Sequence, residues 1–231
     1  MQLKTSLLHL THLLTLASAH FELIKPASRG TEYDKLGEFP CGGLSVSSRR
    51  TEVSLKDPKI NIALKMGHDR SAVQVLVGLG SDPGTNFNIT VVPTLLEEGL
   101  GDFCLEDVKL TEDMLGTRLT EGLNATLQVV TNGDPNGGLY NCADLVFTAS
   151  ASNPDDDDSC RNGTGVTARP FPESAGRINA NESTPNGERQ GGGNGGGDDQ
   201  GGENPGNAAA SLQAAVWGVL GAAVLAAGAL L

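Results

Sequence analysis

The chain has 231 residues, 38% of them hydrophobic and only 4% aromatic, with 16 Lys and Arg against 28 Asp and Glu, a formal charge of −12. So acidic a surface is poorly suited to holding nucleic acid or an anionic membrane by charge. Once two terminal processing signals are set aside, about 190 residues remain, the size of one domain.

Residues 1–19 read as a secretory signal. Lys4 gives a short basic start, Leu7 to Leu16 is leucine-rich, and Ala17-Ser18-Ala19 supplies the small-residue cleavage pattern. An uncleaved anchor is the alternative, but the apolar run is short for a membrane span. Cleavage after Ala19 makes His20 the first residue of the mature protein. The removed segment carries Lys4 and no acid, and the C-terminal tail carries no charge, so the mature chain stands at 15 − 28 = −13.

From His20 to about Ala151, short apolar runs alternate with turn residues. Strands are expected over residues 59–66 (KINIALKM, with Ile62, Leu64 and Met66 on one parity) and 72–79 (AVQVLVGL, with Val73, Val75 and Val77 aligned). Further strands are expected over residues 87–92, 125–130 and 143–148, because period-two spacing and β-branched residues favour extended structure. Clusters at residues 81–84 and 132–138 separate them as turns. Thr111 to Leu115 is the one stretch with a helical look. This pattern predicts an all-β antiparallel sandwich.

Four cysteines, Cys41, Cys104, Cys142 and Cys160, on a secretory route imply two disulfides. Three pairings are open. The nested one, Cys41 with Cys160 and Cys104 with Cys142, is the expectation. No CxxC spacing suggests a thiolate zinc site. Glycosylation sequons fall at Asn88, Asn124, Asn162 and Asn181.

Beyond Asn153 the composition changes. Asp155 to Asp158 form an acidic run that lacks the spaced ligands and glycine of an EF-hand loop, so a solvated loop is the reading. Residues 164–207 are rich in Gly, Asn, Pro and Glu, too poor in apolar side chains to offset ordering entropy, and are expected to form a disordered stalk. Residues 208–231 end in the uncharged run VWGVLGAAVLAAGALL. With the small residues around Asn207 and a short spacer, they have the layout of a GPI-attachment propeptide, Asn207 being the expected attachment residue. A single-pass tail anchor is the alternative. The expected place is therefore the extracellular face of the cell membrane, or the cell wall.

Of the four histidines, His9 and His12 leave with the signal, so His20 and His68 alone survive. An N-terminal histidine closes a chelate through its α-amine and ring Nδ1, and a second imidazole completes three nitrogens. Such a set suits Cu(II), which tops the divalent affinity order. The α-amine, with a pKa near 7.7–8.0, yields its proton readily to a metal. His68 continues the parity of Ile62, Leu64 and Met66 and is placed at the sheet's rim. Asp144 shares a strand face with Tyr140 and Cys142, where a carboxylate needs a partner. Metal ligation, backbone amides and an arginine such as Arg29 are all open as its partner. With one internal histidine there is no persuasive Ser-His-Asp or Cys-His constellation, and no phosphate-loop signature is present.

The segments HFELIKPASRG at the mature start, CGGL at Cys41, GDFCL before Asp107, and LYNCADLVF together resemble the fungal LPMO-like copper proteins of the copper acquisition factor family, over about residues 20–160. The resemblance implies an immunoglobulin-like β-sandwich over residues 20–163, holding one Cu2+ in a histidine brace. Its ligands, carried over, are His20 at the mature start, Asp144 of the C-A-D motif, and His68 as the one internal histidine. Asp69, beside His68, competes for the carboxylate role. It further implies a GPI-anchored, monomeric, non-enzymatic protein for copper acquisition or homeostasis, with a membrane copper transporter as a candidate recipient and no nucleic-acid partner. Flat sugar-binding platforms rely on exposed aromatic rings, and the only tryptophan, Trp217, lies in the tail. Copper binding is accordingly favoured over lytic polysaccharide monooxygenase activity, with a structural wall glycoprotein as a third reading.

Overall fold

A computed structural model describes residues 20–133, 137–151, 160–171 and 177–190. The proposed signal peptide, the acidic run, Asn207 and the apolar tail lie outside these residues. The strands are β1 (Phe21–Lys25), β2 (Thr51–Ser54), β3 (Lys59–Met66), β4 (Arg70–Leu79), β5 (Ile89–Glu98), β6 (Gly101–Lys109), β7 (Asn124–Asn132), β8 (Gly138–Thr148) and β9 (Thr167–Pro170). One four-residue helix, α1 (Glu112–Leu115), is capped by the Thr111 hydroxyl, which accepts from the Met114 amide. The strands form a three-stranded sheet, β1-β3-β6, and a six-stranded sheet, β2-β8-β7-β4-β5-β9. All pairs are antiparallel except β2 with β8, which makes the larger sheet mixed where a purely antiparallel one was expected.

The two sheets bury one core between them. Ile62, Leu64 and Met66 of β3 face Val73, Val75 and Val77 of β4, as their parity required, and Phe21, Phe103, Leu127, Leu145 and Phe147 complete it. Five strands thus follow from alternation. β1, β2, β6 and β9 do not: each is short or interrupted by acidic residues, and pairing with a neighbour rather than local pattern holds it extended.

The outer face of the larger sheet is also covered. Ala72, Leu96, Val130 and Tyr140 pack beneath Phe171 and Ala180. Polar contacts seal this layer: Gln74 Nε2 donates to Asn179 Oδ1 at 3.1 Å, the Ala180 amide to Gln74 Oε1 at 3.1 Å, and Thr94 Oγ1 to the Ile178 carbonyl at 2.6 Å. Ordered structure continues past residue 163, the boundary expected from composition. β9 pairs with β5 through Leu95–Glu98, and residues 177–190 belong to the folded layer. Composition concealed this because the segment brings only a few apolar side chains to a hydrophobic face supplied by the sheet.

Both disulfides are present with a different pairing from the nested one: Cys41 with Cys142 and Cys104 with Cys160. Geometry gives the reason. Cys142 shares parity with Tyr140 on the outer face of the larger sheet, whereas Cys104 packs with Ala63 and Cys160 on the smaller. Sheets stacked about 10 Å apart, with these thiols pointing away from each other, cannot bring them within bonding range. Of the sequon asparagines, Asn88 and Asn162 are exposed, while Asn124 and Asn181 are half-buried.

Glu97 is an exception to the core's apolarity. It is 0% exposed, and neither carboxylate oxygen has a hydrogen-bond partner. Burial first, then the charges of Asp69 and Glu98, push its pKa from 4.5 to about 8. The folded state therefore keeps a proton that the unfolded state releases above about 4.5. Stability contributed by the neutral acid is fully present below that point and declines until about pH 8. Melting curves from pH 4 to 9 should show Glu97→Gln losing less stability across this window than wild type; parallel curves would refute the assignment. Non-reducing peptide mapping should recover the two pairs above. Converting Cys104 and Cys160 together to Ser should cost about 2–4 kcal/mol in chemical denaturation.

Candidate metal centre

Strand register brings the backbone of His20 to the start of the turn that carries His68. Phe21 pairs with Met66, which sets His20 opposite Gly67, and the Gly67 amide donates to the His20 carbonyl at 2.9 Å. His68 is the next residue, in the turn between β3 and β4. The other side of that turn is fixed as well, since the Gly99 amide donates to the Asp69 carbonyl at 2.9 Å. Gly99 has φ +121°, and a Cβ there would stand 2.8 Å from the Gly165 carbonyl oxygen. Glycine is required at this point both for its backbone conformation and for the close approach. The β5–β6 turn thus buttresses the His68 turn from below.

His20 is half-buried, and its Nδ1 is a buried atom with no hydrogen-bond partner. A buried, unpaired ring nitrogen is costly unless something binds it. It is also the atom a brace employs, so the residues present fit a borderline cation. His68 is 30% exposed at its side chain, with Nδ1 3.7 Å from an Asp69 carboxylate oxygen. That is ion-pair range rather than a hydrogen bond. A surface pocket of about 300 Å³ opens beside His20, Glu22, Tyr33, Lys65 and Gly67.

Asp144 does not join the histidines. Arg29 grips it with two bonds, Nε to Oδ2 at 2.9 Å and Nη2 to Oδ1 at 2.8 Å. The Ser47 amide donates to Oδ2 at 2.7 Å and the Thr126 hydroxyl to Oδ1 at 2.8 Å. Register places it far from the turn as well. Thr126 pairs with Asp144 on one side and Gly78 on the other, so Asp144 lies level with Gly78, 78 − 70 = 8 residues along β4 from Arg70. At about 3.3 Å per residue, this is about 26 Å from the His68 turn. Of the partners open to Asp144 in the sequence, the structure supplies the arginine and a backbone amide. Among the described residues no group of three His, Cys, Asp or Glu side chains converges as a metal site. The carboxylate nearest to His68 is Asp69.

Burial pushes the Asp144 carboxyl upward, but the hydrogen bonds from Arg29, Ser47 and Thr126 outweigh it and hold the pKa below the ordinary range. The residue sequence reasoning missed is Tyr33. Its ring meets His20 edge to face, with centroids 5.3 Å apart and planes at 78°, and its hydroxyl donates to the Glu22 carboxylate. Nothing in the spacing announced it, because a loop carries Tyr33 back across β1.

The fold is thus a two-sheet sandwich with His20 directly before β1 and His68 in the β3–β4 turn. The chain belongs to the copper acquisition factor BIM1-like family, whose domain profile matches residues 18–165. It is 48% identical, over 96% of its length and 98% of the other's, to an uncharacterised protein of Aspergillus fumigatus. It is 31% identical to the copper acquisition factor BIM1 of Cryptococcus neoformans var. neoformans, over 57% of this chain and 61% of that one. A lytic polysaccharide monooxygenase-like protein of Emericella nidulans is 29% identical over 50% of this chain and 49% of its own. The family ties this protein to copper.

Asp144→Ala strips Arg29 of its partner in a buried site and should cost about 3–5 kcal/mol in urea unfolding. The folded fraction should still bind copper as wild type does. The contribution of the pair is present above the unfolded pKa of about 3.9 and is lost as pH falls through the lower folded value. A variant of normal stability that has lost copper would return Asp144 to the metal.

Proposed function

We propose that the mature protein begins at His20 and holds one Cu(II) through the His20 α-amine, the His20 Nδ1 and the His68 ring. It acts at the extracellular face of the cell membrane, tethered by a GPI lipid near Asn207, in copper acquisition or homeostasis. The observation that carries this reading is the buried, unpartnered Nδ1 of His20, held by β-pairing beside the His68 turn. Cleavage after Ala19 would convert the His20 amide into a free amine at the same spot. Asp69 stands where it can orient His68.

Capture rather than polysaccharide oxidation is favoured by two things. The Cryptococcus relatives carry the name copper acquisition factor. The exposed rings Tyr33 and Phe39 each pack edge-on against a neighbour, His20 and Tyr140, which does not make a flat surface for sugar stacking. A membrane copper transporter is the natural recipient for a metal held this way.

Mass spectrometry of the secreted protein should find His20 at the N-terminus. Adding one residue ahead of it should abolish stoichiometric copper binding, because the amine moves out of the chelate. His68→Ala should weaken binding. Affinity should fall as pH drops toward 5, since amine and imidazoles must lose protons to bind. Copper binding that is unchanged by the added residue and flat with pH would reject the site. Release of oxidised oligosaccharides from polysaccharide with a reductant present would instead establish the monooxygenase reading.

A further inference from the structure

We infer that Tyr33, anchored by Glu22, is the positioning residue that sets the orientation of the His20 imidazole, and so the affinity and geometry of the copper site; this rests on the reading above. The argument starts from β1. Alternation sends Phe21 into the core, 1% exposed, and leaves His20 and Glu22 on the opposite face of the strand. Two groups on the same face, two residues apart, are spanned by a single side chain from elsewhere. The Tyr33 ring meets His20 edge to face, and its hydroxyl binds the Glu22 carboxylate.

The histidine ring needs such a device. Its Nδ1 has no hydrogen-bond partner, so no bond at that nitrogen fixes its rotation in the metal-free protein. The His20 backbone is held by Gly67, which sets the position of the Cα but not the ring torsion. A six-membered chelate through amine and Nδ1 accepts only a narrow range of that torsion. Packing against Tyr33 supplies the restraint, and the bond to Glu22 fixes Tyr33 in turn. Tyr33 sits in a short 3-10 turn, Tyr33–Lys35, that has no buried residue and is itself 49% exposed. The fold does not need its ring as core, so its place over His20 has a local purpose.

The experiment compares secreted wild-type protein with Tyr33→Ala, Tyr33→Phe and a variant with one residue added before His20. Copper affinity is measured by competition with a chromophoric chelator, and ligand geometry by Cu(II) electron paramagnetic resonance. Tyr33→Ala should weaken binding by about 10-fold or more, the effect expected of losing an outer partner of a ligand, and should alter the copper spectrum. Tyr33→Phe keeps the ring and loses the Glu22 bond, so it should fall between wild type and Tyr33→Ala, with a spectrum closer to wild type. Equal affinities and identical spectra for wild type and Tyr33→Ala would overturn the inference, as would a phenylalanine variant no better than alanine. Should the added residue leave copper binding intact, the brace itself fails, and the role of Tyr33 with it. Loss on adding the residue, together with an indifferent Tyr33→Ala, refutes the positioning role alone.

Discussion

The site depends on the first rung of a ladder. The hydrogen bond from the Gly67 amide to the His20 carbonyl begins the β1–β3 pairing at the residue a signal peptidase would expose. If β1 were one residue out of register, Phe21 would leave the core and His20 would enter it. The burial of Phe21 and Leu23, at 1% and 2% exposure, is therefore what places the histidine at the rim. A chain terminus ordinarily frays. Here the core holds the strand to its first residue, so an amine freed at His20, as proposed, would belong to a rigid site.

The His68 turn is held with similar economy. Gly67 binds the N-terminal strand on one side, and the Asp69 carbonyl binds Gly99 of the β5–β6 turn on the other. Gly99 is in turn packed against residues 165 and 166. Three segments distant in sequence thus converge on one turn, and the segment following the Cys104–Cys160 disulfide belongs to that support. The opposite end of the sandwich is fixed by a different device, the Arg29–Asp144 pair. It ties the loop after β1 to β8 and, through the Ser47 amide, the approach to β2. The proposed metal site and this buried ion pair therefore lie at separate ends of the sandwich.

Much of this was legible in the residues. The parity of Ile62, Leu64 and Met66 and of Val73, Val75 and Val77 predicted the two central strands and the face each buries. The processing pattern at Ala17-Ser18-Ala19 singled out His20, and parity carried His68 to the rim. Parity failed for Asp144 in an instructive way. It gave the correct face, outward on β8 with Tyr140 and Cys142, but it holds no information about height along the strand or about which side chain lies over it. Both were set by the β7–β8 register and by the return of Arg29 from the loop after β1. The disulfide pairing was lost for the same reason, since parity does not tell that Cys104 and Cys142 point outward from different sheets. Tyr33 and the folded layer of residues 177–190 were invisible because each is held by a surface that another part of the chain supplies.

Membership of the BIM1-like family ties the protein to copper, and the location proposed for it is the rim where β1 begins. The most direct test of that assignment is a structure of the secreted protein loaded with copper, with the metal located by anomalous diffraction at the copper edge. The account predicts one copper bound by the amine and Nδ1 of an N-terminal His20 and by the His68 ring, with Asp144 still held by Arg29. Copper found at Asp144, or a chain whose first residue is not His20, would contradict it.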